Sequence, residues 1–344
     1  PPLECVFTVD EEIGMLGAAA LDCGDLQGKK MLNMDSEEEG IFLVSCAGGA
    51  TATITLPVMQ RIHKKDKQYG IHIRGLQGGH SGTEIDKGLA NASVVRVLAA
   101  LQEKAQIQLI CIQGGKKDNA IPREAEAFFT SSEREETLRQ TAEEIQEMIR
   151  SEYRETEPQM EFVWSQEEGD CRVMSEEDTK KVITLLRILP AGVQKMSREI
   201  EGLVQTSLNL GVLESKEDGV SFCFSVRSSV ESEKQELINR LELTAQAVGA
   251  FVVVEGAYPA WEYREDSPVR EAMLQSYREQ YGREPVVQAI HAGVECGLFA
   301  GKIDGLDCVS FGPDMQDIHT TRECMDVASV QRTWKLLLRV LQKL

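Results

Sequence analysis

Two stretches at opposite ends of this sequence share one strand–helix–strand grammar, so whatever lies between them must be accommodated by a fold that both ends build together. Residues 3–9 (LECVFTV) read as a buried strand, followed by an acidic turn, a small-residue helix through Ala20 and a second strand at 30–35 (KMLNMD). Near the other end, 286–290 reads as a strand, 291–301 as a glycine-rich turn into a short helix, and 307–311 as another strand. An amphipathic helix over 327–344 follows. Parallel α/β sheets are made this way, because a helical crossover returns the chain to run in its earlier direction.

The middle obeys a different rule. Residues 69–76 (YGIHIRGL) alternate as a half-exposed strand does, with Ile71 and Ile73 on one face. A helix at about 89–104, strands near 106–112 and 124–130, a helix at 135–154 and a strand at 160–164 follow. After a helix at 176–189 the order is partly echoed by strands 203–213 and 220–227, a helix at 231–248 and a strand at 251–256. Antiparallel sheet with helices on one face is the expected product. The layout expected is a discontinuous α/β domain from residues 1–56 and 263–344, interrupted by an α+β insertion at 57–262.

Composition narrows the class. A net charge of −19 sets up a field that repels nucleic-acid phosphates, so no nucleic-acid partner is expected. No apolar run reaches the roughly 18–20 residues that cross a bilayer, so no membrane partner is expected either. Nine cysteines form no C-x-x-C pair, and several sit in apolar runs such as Ile110-Cys111-Ile112. Reduced, buried thiols in the cytoplasm are the expectation. The sequence opens Pro1-Pro2-Leu3 without a methionine, which reads as the interior of a longer protein.

Ligands of open α/β sheets gather at the carboxyl ends of strands. Two acidic turns fall there: Asp10-Glu11-Glu12 after the first strand and Asp35 after the second. Adjacent carboxylates raise one another's pKa unless a cation lies between them, so Glu11 and Glu12 can be a base and a metal ligand. They can equally be a solvated helix start. Asp35 is a ligand or a turn residue. Among the five histidines, His319 follows a buried strand, His80 lies in the loop Gly78-Gly79-His80-Ser81-Gly82, and His291 opens the turn His291-Ala292-Gly293. His63 and His72, set among Lys, Arg and Gln, read as surface residues. Carboxylates with a distant imidazole form a scattered set of the kind that binds zinc.

These residues, taken together, resemble the aminoacyl-histidine dipeptidases, also called cytosol non-specific dipeptidases, of the two-zinc peptidase superfamily that includes carnosinases and carboxypeptidase G. TVDEEIGMLGA, NMDSEEEG, GGHSGTEIDKGLANA, NAIPREA, the Arg227 of SVRSSV, HAGVECGLFAGK and GPDMQDIHT occur in the family's order and span essentially the whole chain. The resemblance implies an α/β zinc-peptidase catalytic domain, with a mostly parallel sheet, interrupted by a large lid. It implies hydrolysis of Xaa-His and other dipeptides with two divalent metal ions, zinc first, cobalt or manganese as alternatives. Glu11 becomes the general base; Glu12, Asp35 and His319 become metal ligands; His80 reaches from the lid to the oxyanion. Asn119 and Arg227 hold the dipeptide backbone and terminal carboxylate, and the Gly293–Glu295 turn lines the pocket. The resemblance leaves a homodimer open. Family members also carry an H-x-D motif and a bridging Asp ahead of the Glu-Glu turn, which this sequence does not contain, so an N-terminally truncated and inactive member is the expectation. The other class open to the sequence is a non-catalytic protein whose lid mediates association.

Overall fold

The computed structural model describes residues 2–11, 14–90, 94–318 and 320–344. Helix α1 (Leu16–Ala20), strand β1 (Lys30–Asn33) and strand β2 (Ile41–Cys46) come first, before β3 (Gly48–Pro57), β4 (Gln60–Arg74) and the short β5 (Gly79–His80). Then follow α2 (Val94–Lys104), β6 (Ile107–Gly114), the short β7 (Ala120–Ile121), β8 (Ala125–Ser131), α3 (Glu135–Glu152) and β9 (Glu161–Met174). Next are α4 (Glu176–Ile188), β10 (Gly192–Met196), β11 (Val204–Ser215), β12 (Gly219–Ser228), α5 (Glu231–Ala247) and β13 (Phe251–Tyr258). The last stretch holds α6 (Pro268–Tyr281), β14 (Val286–Ile290), α7 (Glu295–Lys302), β15 (Asp307–Ser310), the small pair β16 (Met315–Gln316) and β17 (Cys324–Met325), and α8 (Val327–Lys343).

Both ends of the chain build a four-stranded sheet in the order β1-β15-β2-β14, with β1·β15 and β2·β14 parallel. Alternation along β1 sends neighbouring side chains to opposite faces. Leu32 packs towards α6 and α8 with Phe42, Met273, Tyr277 and Val340, whereas Met31 packs towards α1 and α7 with Ala18, Leu298 and Phe299. The two parallel pairs meet antiparallel at Ser310↔Leu43, and helices cover both faces of the sheet.

Residues 3–9 depart from expectation. They are without regular structure and Phe7 is 91% exposed. Apolar alternation favours a strand only where a neighbouring strand takes its backbone hydrogen bonds, and among the described residues none pairs with this run. Two anchors hold the segment instead. The Glu4 carboxylate accepts from the backbone N–H groups of Gln27 and Gly28, and Thr8 Oγ1 donates to Glu295 at 2.7 Å.

The insertion is one nine-stranded antiparallel sheet, ordered β13-β3-β12-β11-β6-β8-β4-β9 with β10 added on β11. It takes in Gly48–Pro57, on the other side of the 56/57 boundary expected from sequence. That strand pairs with β12 over its whole length, Gly48↔Ser228 to Pro57↔Gly219. Its inclusion completes the echo seen in the element order. One half reads β4, α2, β6, β8, α3, β9 and lies in the order β6-β8-β4-β9; the other reads β3, α4, β11, β12, α5, β13 and lies in the order β11-β12-β3-β13. The equivalent strands β6 and β11 join antiparallel at Gly114↔Leu213 and Gln113↔Glu214, the pairing a local two-fold axis produces. A single core under the sheet, from Ile54 and Phe224 to Leu98, Phe129 and Leu138, spans both halves.

Candidate active site

β1 and β15 run parallel in the register Lys30↔Asp307 to Asn33↔Ser310, so Asp35 and the loop after β15 leave the sheet at the same carboxyl edge. Side chains lock these arms together: Ser36 Oγ and Ser310 Oγ lie 2.8 Å apart, and Asn33 Nδ2 donates to Ser310 Oγ and to Cys296 Sγ. The acidic turn is drawn to the same place, because Thr8 bonds Glu295 at the start of α7, one residue from Cys296. Asp10 takes a left-handed φ of 58° in that turn, and Glu11 is half-buried. The expected ligands Glu12 and His319 lie outside the described residues. Among the described residues no group of three His, Cys, Asp or Glu side chains is placed to hold a metal.

Gly312 is the tightest point of this edge. A Cβ there would stand 1.6 Å from the Ser36 carbonyl oxygen, and that oxygen belongs to backbone, which cannot swing away. Gly312→Ala is therefore expected to push the Asp35 arm and the 312–318 arm apart and to lower stability by about 1–3 kcal/mol, the usual cost of overpacking. Urea unfolding of the variant beside the parent chain checks this, and equal midpoints would contradict it.

The lid brings His80 and Asn119 into one small ladder. β5 pairs with β7, Gly79 opposite Ile121 and His80 opposite Ala120, and Ser81 N–H donates to the Asn119 carbonyl. Asn209 of β11 fixes the loop from below by donating to the carbonyls of Asp118 and Ala120. His80 Nδ1 accepts from the backbone N–H of Gly82 at 3.2 Å and of Thr83 at 3.3 Å. A nitrogen that accepts carries no proton, so the neutral ring has its N–H on Nε2. Burial first, then the Arg227 cation, lowers the His80 pKa, with Glu84 opposing.

Arg227 on β12 is 8% exposed, and its Nη1 donates to Tyr258 Oη at 3.1 Å. Among the described residues no carboxylate lies within ion-pair distance of it, so a buried cation faces neutral groups. The Tyr258 ring is wedged between backbones: a Cβ on Gly293 would meet it at 2.6 Å, and one on Gly49 at 2.5 Å. Gly293 thus admits Tyr258 beside the Arg227 site. Glu295, expected in the pocket lining, is buried and accepts the Thr8 hydroxyl. His63 bonds Asp66 at 3.0 Å away from these groups.

Three residues here were not singled out as site residues from sequence. Tyr258 and Ser207 carried no signal beyond a strand. His291 did, as one of few histidines in a glycine-rich turn; it is 5% exposed and its Nε2 lies 2.7 Å from Ser207 Oγ. Burial, with Arg227 as the second cause, pushes its pKa down to about 3. Deeper still, burial raises the Cys46 thiol to about 12, and Cys296 well above its ordinary value beside Cys308. All nine cysteines are free, with Cys46, Cys296 and Cys308 buried.

With this geometry in view, comparison with known proteins identifies the class and then the family. Residues 71–157 match a family described as a peptidase dimerisation domain, which falls within the half of the large sheet that carries His80. The structure superposes on the crystal structure of aminoacylhistidine dipeptidase from Vibrio alginolyticus with a TM-score of 0.91, at 35% identity, covering 97% of this chain and 69% of that one. The sequence is 34% identical to the cytosol non-specific dipeptidase of Escherichia coli (strain K12) over 347 residues, which is 100% of this chain and 72% of the relative. The chain belongs to this dipeptidase family. Among the described residues no helix is long and apolar enough to cross a membrane.

Proposed function

We propose that this chain carries the lid and much of the catalytic framework of a cytoplasmic dipeptidase that cleaves Xaa-His and other unblocked dipeptides. The observation that carries the reading is Arg227: a buried guanidinium without a carboxylate partner among the described residues, beside His80 and the Asn119 loop, is suited to a peptide's terminal carboxylate. Glu12, Asp35 and His319 would hold the two divalent ions; oxygen and imidazole donors suit zinc, and cobalt or manganese as alternatives. The convergence of the Asp35 and 312–318 arms supports that assignment. When bound, the ions supply Lewis-acid polarisation of the scissile carbonyl and a more acidic water.

The chain's own groups do the rest. Glu11 takes a proton from the attacking water and gives it to the leaving amine nitrogen. His80 donates its Nε2–H to the oxyanion that develops on the carbonyl oxygen. Arg227 donates to the terminal carboxylate, Asn119 holds the peptide backbone, and the Gly293–Glu295 turn borders the pocket. His80 acts in its own chain: the matching edges of the two halves of the large sheet, β6 and β11, pair with each other within one chain, which leaves neither edge free to pair with a second subunit. A homodimer formed elsewhere leaves that assignment intact.

The test is binding, read by calorimetry. Gly-Ala is expected to bind the 344-residue chain more tightly than its C-terminal amide by about 1.5–3 kcal/mol, the worth of a hydrogen bond to a charged group. Arg227→Lys should erase most of that gap, since an ammonium cannot reproduce the planar fork. Equal affinity for acid and amide would overturn the carboxylate role. A separate expectation concerns turnover. The sequence supplies Glu12, Asp35 and His319 but neither the histidine of an H-x-D motif nor a bridging aspartate, so this chain alone, given zinc, cobalt or manganese, should hydrolyse Ala-His or Gly-Gly negligibly. Robust release of free amino acid would refute it.

A further inference from the structure

A cavity of about 320 Å³ lies where the chain passes between the four-stranded and the nine-stranded sheet. It passes twice, from β2 to β3 and from β13 towards α6. The two passages are tied together by reciprocal backbone bonds, Cys46 N–H to the Trp261 carbonyl at 3.0 Å and Trp261 N–H to the Cys46 carbonyl at 3.1 Å. Gly305 and Leu306 line the cavity and precede β15, whereas Asp35 follows β1, the strand parallel to β15. The cavity is therefore at the sheet edge opposite the one from which Asp35 emerges. None of the residues assigned above to the dipeptide or to the metal ions lines it.

Its lining divides by burial and by chemistry. The floor is apolar and shielded, with Val44 and Trp261 each 4% exposed. The rest of the wall carries charge of both signs. Arg264 donates through Nε and Nη1 to the carbonyls of Asp266 and Gly305, and Arg270, 8% exposed, donates through Nη1 and Nη2 to those of Arg264 and Glu265. Neutral carbonyls thus orient both guanidinium groups, and among the described residues neither has a carboxylate within ion-pair distance. Glu262 accepts from Glu231 N–H at 3.0 Å and, among the described residues, has no cation within that distance either. Glu231 is already matched, by Lys234 at 2.9 Å.

Few molecules suit such a wall. An inorganic anion would meet the arginines but face Glu262, and it would leave the apolar floor in water. A simple cation reverses the conflict. A hydrocarbon covers the floor and answers neither charge. A zwitterion with an apolar side chain meets all three demands, and the volume falls at the small end of the roughly 300–1,000 Å³ usual for small-molecule sites. We propose that this cavity binds a free apolar α-amino acid, its carboxylate on Arg264 and Arg270, its ammonium on Glu262 and its side chain over Trp261. Glu231 begins α5 of the lid, while Arg264 and Arg270 belong to the segment that enters α6, so an occupant touches both and steadies the lid against the four-stranded sheet. Dipeptide cleavage would release such amino acids, but the site stands on the cavity alone.

Calorimetry of the 344-residue chain at pH 7 tests this, with leucine, N-acetyl-leucine and leucinamide as probes. At that pH free amines are protonated and carboxylates ionised. Leucine is expected to bind at one site with roughly millimolar affinity, as fits so small a ligand. Each derivative lacks one of the two charges and should bind about tenfold or more weakly, the loss expected for a hydrogen bond to a charged group. Glu262→Gln and Arg264→Met should each weaken leucine by a similar factor; both side chains are exposed, so neither change disturbs the core. Arg227→Met should leave leucine binding as it is. Absence of saturable leucine binding, or either derivative binding as tightly as leucine, would overturn the proposal. So would leucine binding that is lost in Arg227→Met and kept in Glu262→Gln, which would place the amino acid among the dipeptide-binding residues instead. The contrast between Gly-Ala and its amide tests the dipeptide reading separately, so either reading can fail without the other.

Discussion

Glu11→Gln, made in an active and metal-loaded form of the protein, is expected to lose about 10²–10⁴-fold in turnover while its metal content stays the same, the range associated with removing a general base. Glutamine keeps the shape of the side chain and can still accept hydrogen bonds, but it cannot take up the water's proton. The expectation follows from place as well as from type. The acidic turn is held to the start of α7 by the Thr8–Glu295 bond and so reaches the edge where Asp35 emerges. Metal analysis beside steady-state kinetics checks the assignment. Metal loss in Glu11→Gln together with retention in Glu12→Gln would mean that the two neighbours have exchanged roles.

His80→Ala should cost about 10²–10³-fold in turnover, the range for one oxyanion donor. Because the interaction is made only in the transition state, the Michaelis constant should change little, and turnover and specificity constant should fall together. The backbone N–H groups of Gly82 and Thr83 fix the ring with its donor on Nε2. Burial and the Arg227 cation keep that ring neutral to lower pH than an ordinary histidine, so its donor geometry should persist into mildly acidic solution. Mixing Glu11→Gln with His80→Ala proteins tests the own-chain assignment. Rescue of activity would require sharing between subunits; no rescue after demonstrated subunit mixing agrees with a His80 that serves its own chain. Full turnover in a folded His80→Ala protein would remove the catalytic role.

Most elements were legible because their patterns are local. Strands β14 and β15, helices α4, α5 and α8, and the hairpin β11–β12 fall within a few residues of where alternation and helical spacing put them. The run at 3–9 was misleading for a physical reason: its alternation is genuine, but a strand is a property of a pair, and pairing is not written in one segment. Strand β3 was missed because GGATATIT is weakly apolar, although its register with β12 is continuous. Helix α6 was missed although Ser267 accepts from Arg270 N–H, Pro268 sits in the first turn and Gly282 ends it, all of which are readable signals. In the site, residue types pointed to Glu11, Asp35 and His80, and the family resemblance added Arg227. What they could not convey is that Glu295 turns to Thr8, or that His291 and Arg227 are each left with an unmatched atom, since burial and orientation arise only once the sheet of one segment meets the turn of another.

The β6–β11 seam has a further consequence. Were the two halves of the large sheet separate molecules, the edge between them would form at a rate and to an extent set by concentration, and the assembled site would come apart on dilution. Tethered by one backbone, the halves meet at an effective concentration fixed by geometry. The arrangement of His80 beside Arg227 then persists at any dilution. It also frees the halves from copying each other: a substitution in β12 is not repeated in β8, so the half that carries Arg227 and the half that carries His80 can diverge independently.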